Sequence, residues 1–372
     1  SHLFRNRRGM ADPARPRDAL VAIDLLRFGA AAMVMLCHYF GQWALVDRLG
    51  IGTGGPAGLP TNAWLSSGWV GVEIFFVISG YVIALSATNS TAIDFARRRL
   101  LRLWPGTLIC ASITALVLLI AGVPWAYLAP RYAASALMWL WGDQIDPVYW
   151  SLLVECIFYA LVTLLLAIGR WNPVKVGLAL STWTLVYLAW VLGPGGKALP
   201  DVTGAAEFLL APFGAFFGMG ILFQQAHRDP ASVKGWMFLP AFLAAPVCIG
   251  ATNGIDDGQE SGQALLLFVA GVAVVILSAR LQLAVRSDRL RRLAIALGLA
   301  TYPLYLTHAY VGQALMVGGA KLGLSPTLTV GPVILTMVAL ALFIALRIEP
   351  VVRTQMDRLL RPILRPAQRQ AA

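Results

Sequence analysis

The sequence predicts an all-α polytopic transmembrane bundle with ten spans, one re-entrant or interfacial segment, and both termini in the cytoplasm. Three observations lead to this fold class. Hydrophobic residues make up 58% of the 372 residues, charged residues only 13%, and the mean hydropathy is +0.72. Apolar runs such as "LTVGPVILTMVALALFIAL" reach the ~20 residues that a helix needs to cross a bilayer. Positive charges alternate from one polar connection to the next, and this alternation determines the number of spans.

The ten spans follow in order from the apolar runs. They are predicted at about 20–43, 68–88, 105–123, 149–169, 175–193, 205–225, 236–251, 263–280, 293–316 and 328–346. The stretch "YLAPRYAASALMWLW" (127–141) is apolar but too short and too interrupted to span. Counting it as a span would invert every later connection. We therefore predict a re-entrant or interfacial segment there, with Trp139 and Trp141 at the membrane interface.

The orientation follows from the distribution of Lys and Arg. With a cytoplasmic N-terminus, 24 of the 29 basic residues fall on the cytoplasmic side and Arg27 falls within a span. The four on the opposite side are Arg48, Arg131, Lys197 and Lys321. Cytoplasmic connections of membrane proteins carry such an excess of basic residues. The net charge of +11 therefore reflects topology, and no nucleic-acid partner is predicted.

The domain organisation is simple. One membrane domain is predicted at 19–352, between a cytoplasmic tail at 1–18 and a basic cytoplasmic tail at 353–372. Met10 is a natural start, which favours a vector-derived origin for residues 1–9. The four cysteines lie far apart in apolar spans, which indicates packing rather than a disulfide framework or a metal site. No metal is expected.

Apart from charges within two residues of a span end, six Asp, Glu, Arg or His residues lie inside the predicted spans: Asp24, Arg27, His38, Glu73, Glu155 and His308. Each charge costs roughly 2.5–3.5 kcal/mol at the bilayer centre, so each needs a partner or a function. Individually, each has a structural explanation; Arg27, for example, could pair with Asp24 or reach the cytoplasmic headgroups. However, His38, Glu73, Glu155 and His308 come from four spans and share the outer half of the membrane. This combination favours a functional site.

Arg27 and His38 lie on one face of the first span. Eleven residues make three helical turns plus ~20°, so the two side chains point the same way, ~16 Å apart along the axis. A fixed cation and a titratable imidazole thus face the same part of the bundle interior.

From about residue 18 to residue 352, the chain resembles membrane acyltransferase family 3. The resemblance depends on six stretches that occur in the same order, and no single stretch would be sufficient evidence for it. They are "AIDLLRFGAAAMVMLCHYF" with Arg27 and His38, "GVEIFFVISGYVI" with Glu73, "FARRRLLRLWP" with Arg99 and Arg102, "YWSLLVECIFY" with Glu155, "TYPLYLTHAYV" with His308, and "RIEP" with Glu349. Many relatives have Asp where Glu73 stands, and no additional esterase-like domain is present in this chain.

The resemblance implies an O-acyltransferase of the bacterial inner membrane. Such an enzyme moves an acyl group, expected to be acetyl, from cytoplasmic acyl-CoA to a hydroxyl of a glycan or other sugar-containing acceptor. Its partners would be acetyl-CoA or another acyl-CoA as co-substrate, the acceptor, and the lipid bilayer. Arg27, Arg99 and Arg102 are the predicted donor-binding residues, because guanidinium groups bind phosphates in a bidentate fork.

The predicted catalytic residues are His38, Glu73, Glu155 and His308. His38 would remove the proton from the acceptor hydroxyl, and Glu73 or Glu155 would orient its ring. His308, Tyr305 or Trp150 could stabilise the developing oxyanion. A two-step route through an acyl-histidine stays open at this point.

A secondary transporter or flippase is the main alternative from another functional class. Buried His, Glu and Arg residues also form proton relays in transporters. The two halves of this chain show no similarity to each other, and no matched pair of broken helices is visible. A non-catalytic scaffold would leave the intramembrane charges unexplained.

Overall fold

The computed structural model describes residues 16–40, 59, 62–193, 208–251, 258–281 and 287–364. Within these ranges the regular elements are helices and turns, without strands, which confirms the all-α prediction. The helices are α1 (Pro16–Phe40), α2 (Ala63–Ser66), α3 (Gly71–Ala87), α4 (Ala92–Ile120), α5 (Trp125–Ala136), α6 (Tyr149–Ala167), α7 (Pro173–Leu192), α8 (Gly214–Arg228), α9 (Leu239–Ala251), α10 (Gly258–Leu281), α11 (Asp288–Lys321), α12 (Pro326–Phe343) and α13 (Glu349–Leu364).

Within the described residues a helix lies at each predicted span, and six helical stretches there are long and apolar enough to cross a bilayer. These are Val21–Phe40, Ala63–Ala87, Ala92–Ile120, Tyr149–Ala167, Pro173–Leu192 and Pro326–Arg361. The stretches Gly235–Gly250 and Gly262–Ser278 are apolar but shorter. The chain is therefore a multi-pass membrane protein, whereas the count of ten spans and the orientation of the termini stay predictions.

The segment predicted not to span forms α5, which has 12 residues. At 1.5 Å per residue it is about 18 Å long, well short of the ~30 Å hydrocarbon core. An irregular loop, residues 137–148, connects it to α6.

Local sequence signals explain where several helices begin. Thr91 accepts a hydrogen bond from the backbone N–H of Asp94 at the start of α4. Asn172 caps α7 through the N–H of Lys175, and Pro173 occupies the first helical position. These side chains pair N–H groups that have no partner within the first turn of a helix.

Close backbone contacts hold α3 against α8. A Cβ on Gly80 would lie 2.1 Å from the carbonyl oxygen of Phe217, and one on Gly220 would lie 1.9 Å from that of Val77. Only glycine permits this approach, which is typical of helix packing in membranes. On the other side of the bundle, α1 packs against α11, and α11 packs against α12. This second group positions the two histidines.

A π-helical turn, Ile344–Ile348, connects α12 to α13, which packs against the first turns of α4. Arg97 of α4 forms an ion pair with Asp357 of α13. The predicted domain boundary at 352 falls inside this helix. The assignment of a separate tail at 353–372 stays a prediction.

Candidate active site

His38 and His308 form a hydrogen-bonded pair between α1 and α11. The Nδ1 atom of His38 lies 2.7 Å from Nε2 of His308. The two ring planes differ by 17°, and the ring centroids are 4.9 Å apart. His308 is completely buried, whereas His38 is partly buried. The structure thus joins two of the four predicted catalytic residues.

The surrounding carbonyl groups determine which nitrogens carry protons in this pair. Nδ1 of His308 lies 2.7 Å from the carbonyl oxygen of Tyr305 and 3.2 Å from that of Leu304. A carbonyl oxygen only accepts, so Nδ1 of His308 carries the proton, and its Nε2 accepts in the neutral ring. Nδ1–H of His38 must then donate to His308. Nε2 of His38 consequently has a lone pair, and no hydrogen bond within the described residues uses that atom.

Two reciprocal hydrogen bonds hold the backbones of the paired histidines in register. The hydroxyl of Tyr39 donates to the carbonyl oxygen of His308 at 2.8 Å. The side-chain amide of Gln313 donates to the carbonyl oxygen of His38 at 3.0 Å. Gly312 lets the two helices approach, because a Cβ there would lie 1.8 Å from the Tyr39 hydroxyl oxygen.

Glu155 lies in a second polar cluster, on α6. Its Oε1 accepts hydrogen bonds from the hydroxyl of Ser79 at 2.8 Å and from that of Tyr159 at 2.5 Å. Glu155 also lines a cavity of about 50 Å³, together with Arg27 and Tyr305. Sequence analysis placed Glu155 at the depth of His38 and Arg27 a leaflet away. The structure instead groups Glu155 with Arg27.

The cavity is mainly apolar, with Val72, Phe75, Phe76 and Leu152 in its walls. Nε of Arg27 is buried and has no hydrogen-bond partner among the described residues. Tyr305 connects the cavity to the histidines, since its hydroxyl lies 2.6 Å from Ser151 Oγ and its ring centroid lies 5.7 Å from that of His308.

Glu73 lies in the first turn of α3 and is buried, with 7% of its surface exposed. Its Oε2 has no hydrogen-bond partner within the described ranges. No hydrogen bond joins Glu73 or Glu155 to His38 in the part of the chain that the structure describes. The group that holds the His38 ring is thus His308, for which sequence analysis suggested a role at the oxyanion.

The arginines at the start of α4 differ in their partners. Arg97 pairs with Asp357, and Nη1 of Arg102 lies 3.8 Å from Oε1 of Glu349. Arg99 lies over the rings of Phe95 and Tyr159, with its guanidinium carbon 5.6 and 5.7 Å from their centroids. Within the described residues, Arg99 has no carboxylate within salt-bridge distance. Arg98 also has no carboxylate within that distance among the described residues and donates to Ser90 Oγ, so Arg98 and Arg99 both have charge left for an anion.

Residues 20–346 match the family model described as "Acyltransferase domain", that is, acyltransferase family 3. The chain belongs to this family. It is 26% identical over 319 residues to nodulation protein 10 of Rhizobium leguminosarum bv. viciae, which covers 77% of this chain and 83% of the relative. It is 29% identical over 171 residues to the putative membrane-bound transacylase BcsY of Komagataeibacter xylinus, covering 40% of this chain and 37% of that protein. No solved structure matches it significantly.

Sequence analysis of this acyltransferase missed two residues that support the site. Gln313 looked like an ordinary polar residue in an apolar run, yet it bonds the His38 carbonyl. Asp146 is completely buried and accepts hydrogen bonds from the N–H groups of Val148 and Tyr310. An Asp-Pro pair just before an apolar helix is a signal for such a turn. The contact with Tyr310, two residues after His308, could not be read from the sequence.

Proposed function

We propose that this membrane acyltransferase moves an acyl group, expected to be acetyl, from cytoplasmic acyl-CoA to a hydroxyl of a glycan or sugar-containing acceptor. The observation that supports it most directly is the lone pair on Nε2 of His38, which follows from the carbonyl acceptors around His308. A hydroxyl is a weak nucleophile, and a positioned imidazole removes its proton as it attacks. We place the enzyme in the bacterial inner membrane.

The proposed reaction is a direct transfer from the thioester to the acceptor, by addition to a tetrahedral intermediate and then elimination, without an acyl-enzyme. Nε2 of His38 takes the acceptor's hydroxyl proton while the hydroxyl oxygen attacks the thioester carbonyl carbon. The carbon–sulfur bond then breaks. His38 returns the proton to the departing sulfur, so CoA leaves as the free thiol. His308 acts as the positioning residue, since it accepts the Nδ1–H bond of His38 and so stabilises the imidazolium that forms between the two proton transfers.

The donor is proposed to enter from the end of α4 that bears Arg99 and Arg102. The phosphates of CoA would bind Arg99 and, in competition with Glu349, Arg102. The pantetheine arm would pass beside Arg27, along Phe75 and Phe76, and bring the thioester towards His38, which requires the small apolar cavity to widen when the donor binds. Glu155 would keep Arg27 in place electrostatically, since both groups line the cavity.

The His38→Ala variant tests the function. The protein, purified into lipid nanodiscs, is incubated with acetyl-CoA, and released CoA thiol is measured with water as the acceptor. We expect the rate to fall by about 10²–10⁴-fold, the contribution of a general base. Acetyl-CoA binding by calorimetry should persist, because the nucleotide lies at the other end of the cavity. Near-normal thiol release from a stably folded variant would overturn the proposal.

His227→Ala is the matched control, because His227 is exposed at the end of α8, away from the cavity. It should release thiol at the wild-type rate. If wild-type protein releases no thiol from acetyl-CoA and instead moves a solute in a proton-dependent manner, the transporter alternative replaces this function.

A further inference from the structure

Three exposed aromatic rings form a row beside the loop that connects α5 to α6. Trp139 and Trp141 are 57% and 64% exposed, and their ring centroids lie 6.0 Å apart with the planes at 62°. The ring of Phe208 follows at 5.8 Å from Trp141 and is tilted by 31°. We call these three residues the aromatic row. Its rings are available for stacking from the outside of the protein.

A polar pair lies in the groove that Trp139 and Trp141 border. The groove has a volume of about 450 Å³ and is also lined by Arg131 and Asp143. Arg131 forms an ion pair with Asp143 and lies 3.7 Å from the ring centroid of Tyr127. The Asp143 side chain remains 74% exposed, so its carboxylate can accept further hydrogen bonds.

Hydrogen bonds hold this loop in a single conformation. Ser135 Oγ accepts from the N–H of Ile145 and donates to Oε1 of Gln144. The amide nitrogen of Gln144 donates to the carbonyl oxygens of Trp139 and Gly142. Gly142, with φ of 110°, adopts a backbone conformation that favours glycine. The two tryptophans are thus presented by a preorganised loop.

The same loop is attached to the helix that carries His308. Oδ2 of Asp146 accepts the backbone N–H of Tyr310 at 2.9 Å, two residues beyond His308. The loop is therefore linked to the helix of the histidine pair, and the end of α5 just before it is linked to α4 by the hydrogen bond from Trp104 Nε1 to the carbonyl oxygen of Ala136. The charge distribution predicts that residues 127–141 lie on the side of the membrane away from the cytoplasm.

We propose that the aromatic row and the Arg131–Asp143 pair form a docking site for the sugar rings of a glycan acceptor. A pyranose ring presents C–H bonds on its faces, which stack on indole rings, and hydroxyl groups at its edge, which bond to carboxylates and guanidinium groups. The spacing of the aromatic rings is comparable to the repeat of sugar rings along a chain. This inference rests on the proposed function, because it names where that function's acceptor binds.

The alternative is that Trp139 and Trp141 only anchor the protein at the membrane interface. Interfacial anchoring needs neither a preorganised loop nor an exposed ion pair in the groove that the two rings border. Binding of a sugar chain would account for the aromatic rings, the ion pair and the attachment of the loop to α11 together.

The test measures glycan binding without any acyl donor. Calorimetry is performed on the protein in nanodiscs with three probes: cellohexaose, maltohexaose and chitohexaose. At least one should bind to the wild type, and Trp139→Ala or Trp141→Ala should each weaken that binding about tenfold, the effect of losing one stacking contact. Trp141→Phe should retain part of the affinity, because a ring remains. Failure of all three probes to bind wild-type protein would overturn the proposal.

Trp236→Ala is the matched control, since Trp236 is 60% exposed and lies between α8 and α9, away from the aromatic row. It should bind the probes like wild type, and melting temperatures should show that all variants fold. Unchanged glycan affinity in folded Trp139→Ala and Trp141→Ala variants would refute the site. So would quenching of both tryptophans by brominated lipid tails together with unchanged glycan affinity, which would establish interfacial anchoring.

A separate acetyl-transfer assay distinguishes this inference from the proposed function. If the probes bind through Trp139 and Trp141 but acetyl-CoA is not consumed, the docking site stands and the donor assignment is wrong. If transfer to a probe proceeds and the two variants leave the acceptor KM unchanged, the proposed function stands and the docking site is wrong.

Discussion

At the scale of single residues, the proton positions in the histidine pair follow from backbone carbonyls on α11. Those of Leu304 and Tyr305 hold the Nδ1 proton of His308, which makes the opposite nitrogen of that ring an acceptor. This arrangement orients His38 without a carboxylate. A neutral partner can serve as positioning residue because it needs only to accept one hydrogen bond from His38 Nδ1–H.

His308→Asn and His308→Leu separate this positioning role from a simple packing role. The amide oxygen of Asn can accept a hydrogen bond from His38, whereas Leu cannot. We therefore expect the kcat of His308→Leu to be at least about tenfold lower than that of His308→Asn. Acetyl-CoA affinity should be similar in both. Thiol release over a range of pH values is the measurement, and equal kcat values and equal pH profiles for the two variants would contradict the role.

Arg97 and Arg99 are only two positions apart, but Arg97 forms an ion pair with a carboxylate and Arg99 does not. Replacing Arg99 with Ala should weaken acetyl-CoA binding by ~1.5–3 kcal/mol, the value of a charged hydrogen bond. Arg97→Ala should have a smaller effect, because Asp357 already neutralises Arg97. Calorimetry with CoA measures both, and Arg170→Ala, an exposed arginine elsewhere, is the control. Equal losses in the Arg99 and Arg170 variants would remove Arg99 from the donor site.

At the scale of helices, the active site depends on how closely α1 and α11 approach. Tyr39 and Gln313 bond reciprocally across the two helices, next to the paired rings. Leucine-rich surfaces alone would not specify this register, because lipid tails are as apolar as the helices. The polar contacts and Gly312 specify it.

Gly312→Ala tests the close approach. The new methyl group would displace the Tyr39 hydroxyl and break its bond to His308, so we expect a loss of about 1–3 kcal/mol in stability and reduced thiol release. Gly318→Ala lies on the same helix with nothing within 4 Å. It should be neutral or stabilising by about 0.5–1 kcal/mol. Thermal melting measures both variants, and equal melting temperatures would show that the contact is unimportant.

The attachment of the α5–α6 loop to α11 should depend on pH. Burial raises the pKa of the Asp146 carboxyl to about 7, and its titratable neighbours are Tyr39, Tyr149 and Tyr305. The folded protein therefore binds a proton here that the unfolded chain has lost above its ordinary pKa of about 3.9. The contribution of Asp146 to the free energy of unfolding should therefore fall as the pH rises from about 4 to about 7.

Asp146→Asn removes this dependence, because the amide oxygen still accepts the Tyr310 N–H but does not ionise. Melting temperatures are measured at pH 5, 6, 7 and 8. The melting temperature of the variant should increase relative to that of the wild type as the pH rises. A constant difference between the two proteins across this range would contradict the assignment.

At the scale of the whole molecule, charge distribution predicts the direction of acyl transfer. Basic side chains concentrate where α4, α11 and α13 carry Arg99, Arg291 and Arg353, and the loop that bears Trp139 and Trp141 is attached to the helix of His308. Acyl-CoA would then enter at the basic end, and the acceptor at the other end.

Two engineered cysteines test this orientation in intact cells. Ser325→Cys lies between α11 and α12, and Ala231→Cys lies between α8 and α9. An impermeant maleimide should label position 325 directly and position 231 only after permeabilisation. Of the native cysteines, Cys37, Cys110 and Cys248 are buried and Cys156 is partly buried, so the parent protein serves as the labelling control. The reverse pattern would invert the proposed direction of transfer.

The sequence by itself determined the helical membrane class, the positions of the helices and the family of this protein. Hydropathy and helix-capping signals depend on neighbouring residues, so they can be read along the chain. The motifs likewise singled out His38, Glu155 and His308, which the structure places in polar clusters, without showing which of them meet; their catalytic roles stay predictions.

Only the tertiary structure decided the partners of those residues. His38 meets His308 across 270 positions, Glu155 meets Ser79 across 76, and Arg97 loses its free charge to Asp357 across 260. Helices of similar hydropathy can pack in many rotations and registers at nearly equal cost in a bilayer. The choice among them depends on close glycine contacts and hydrogen bonds between distant segments, and these exist only once the helices are assembled.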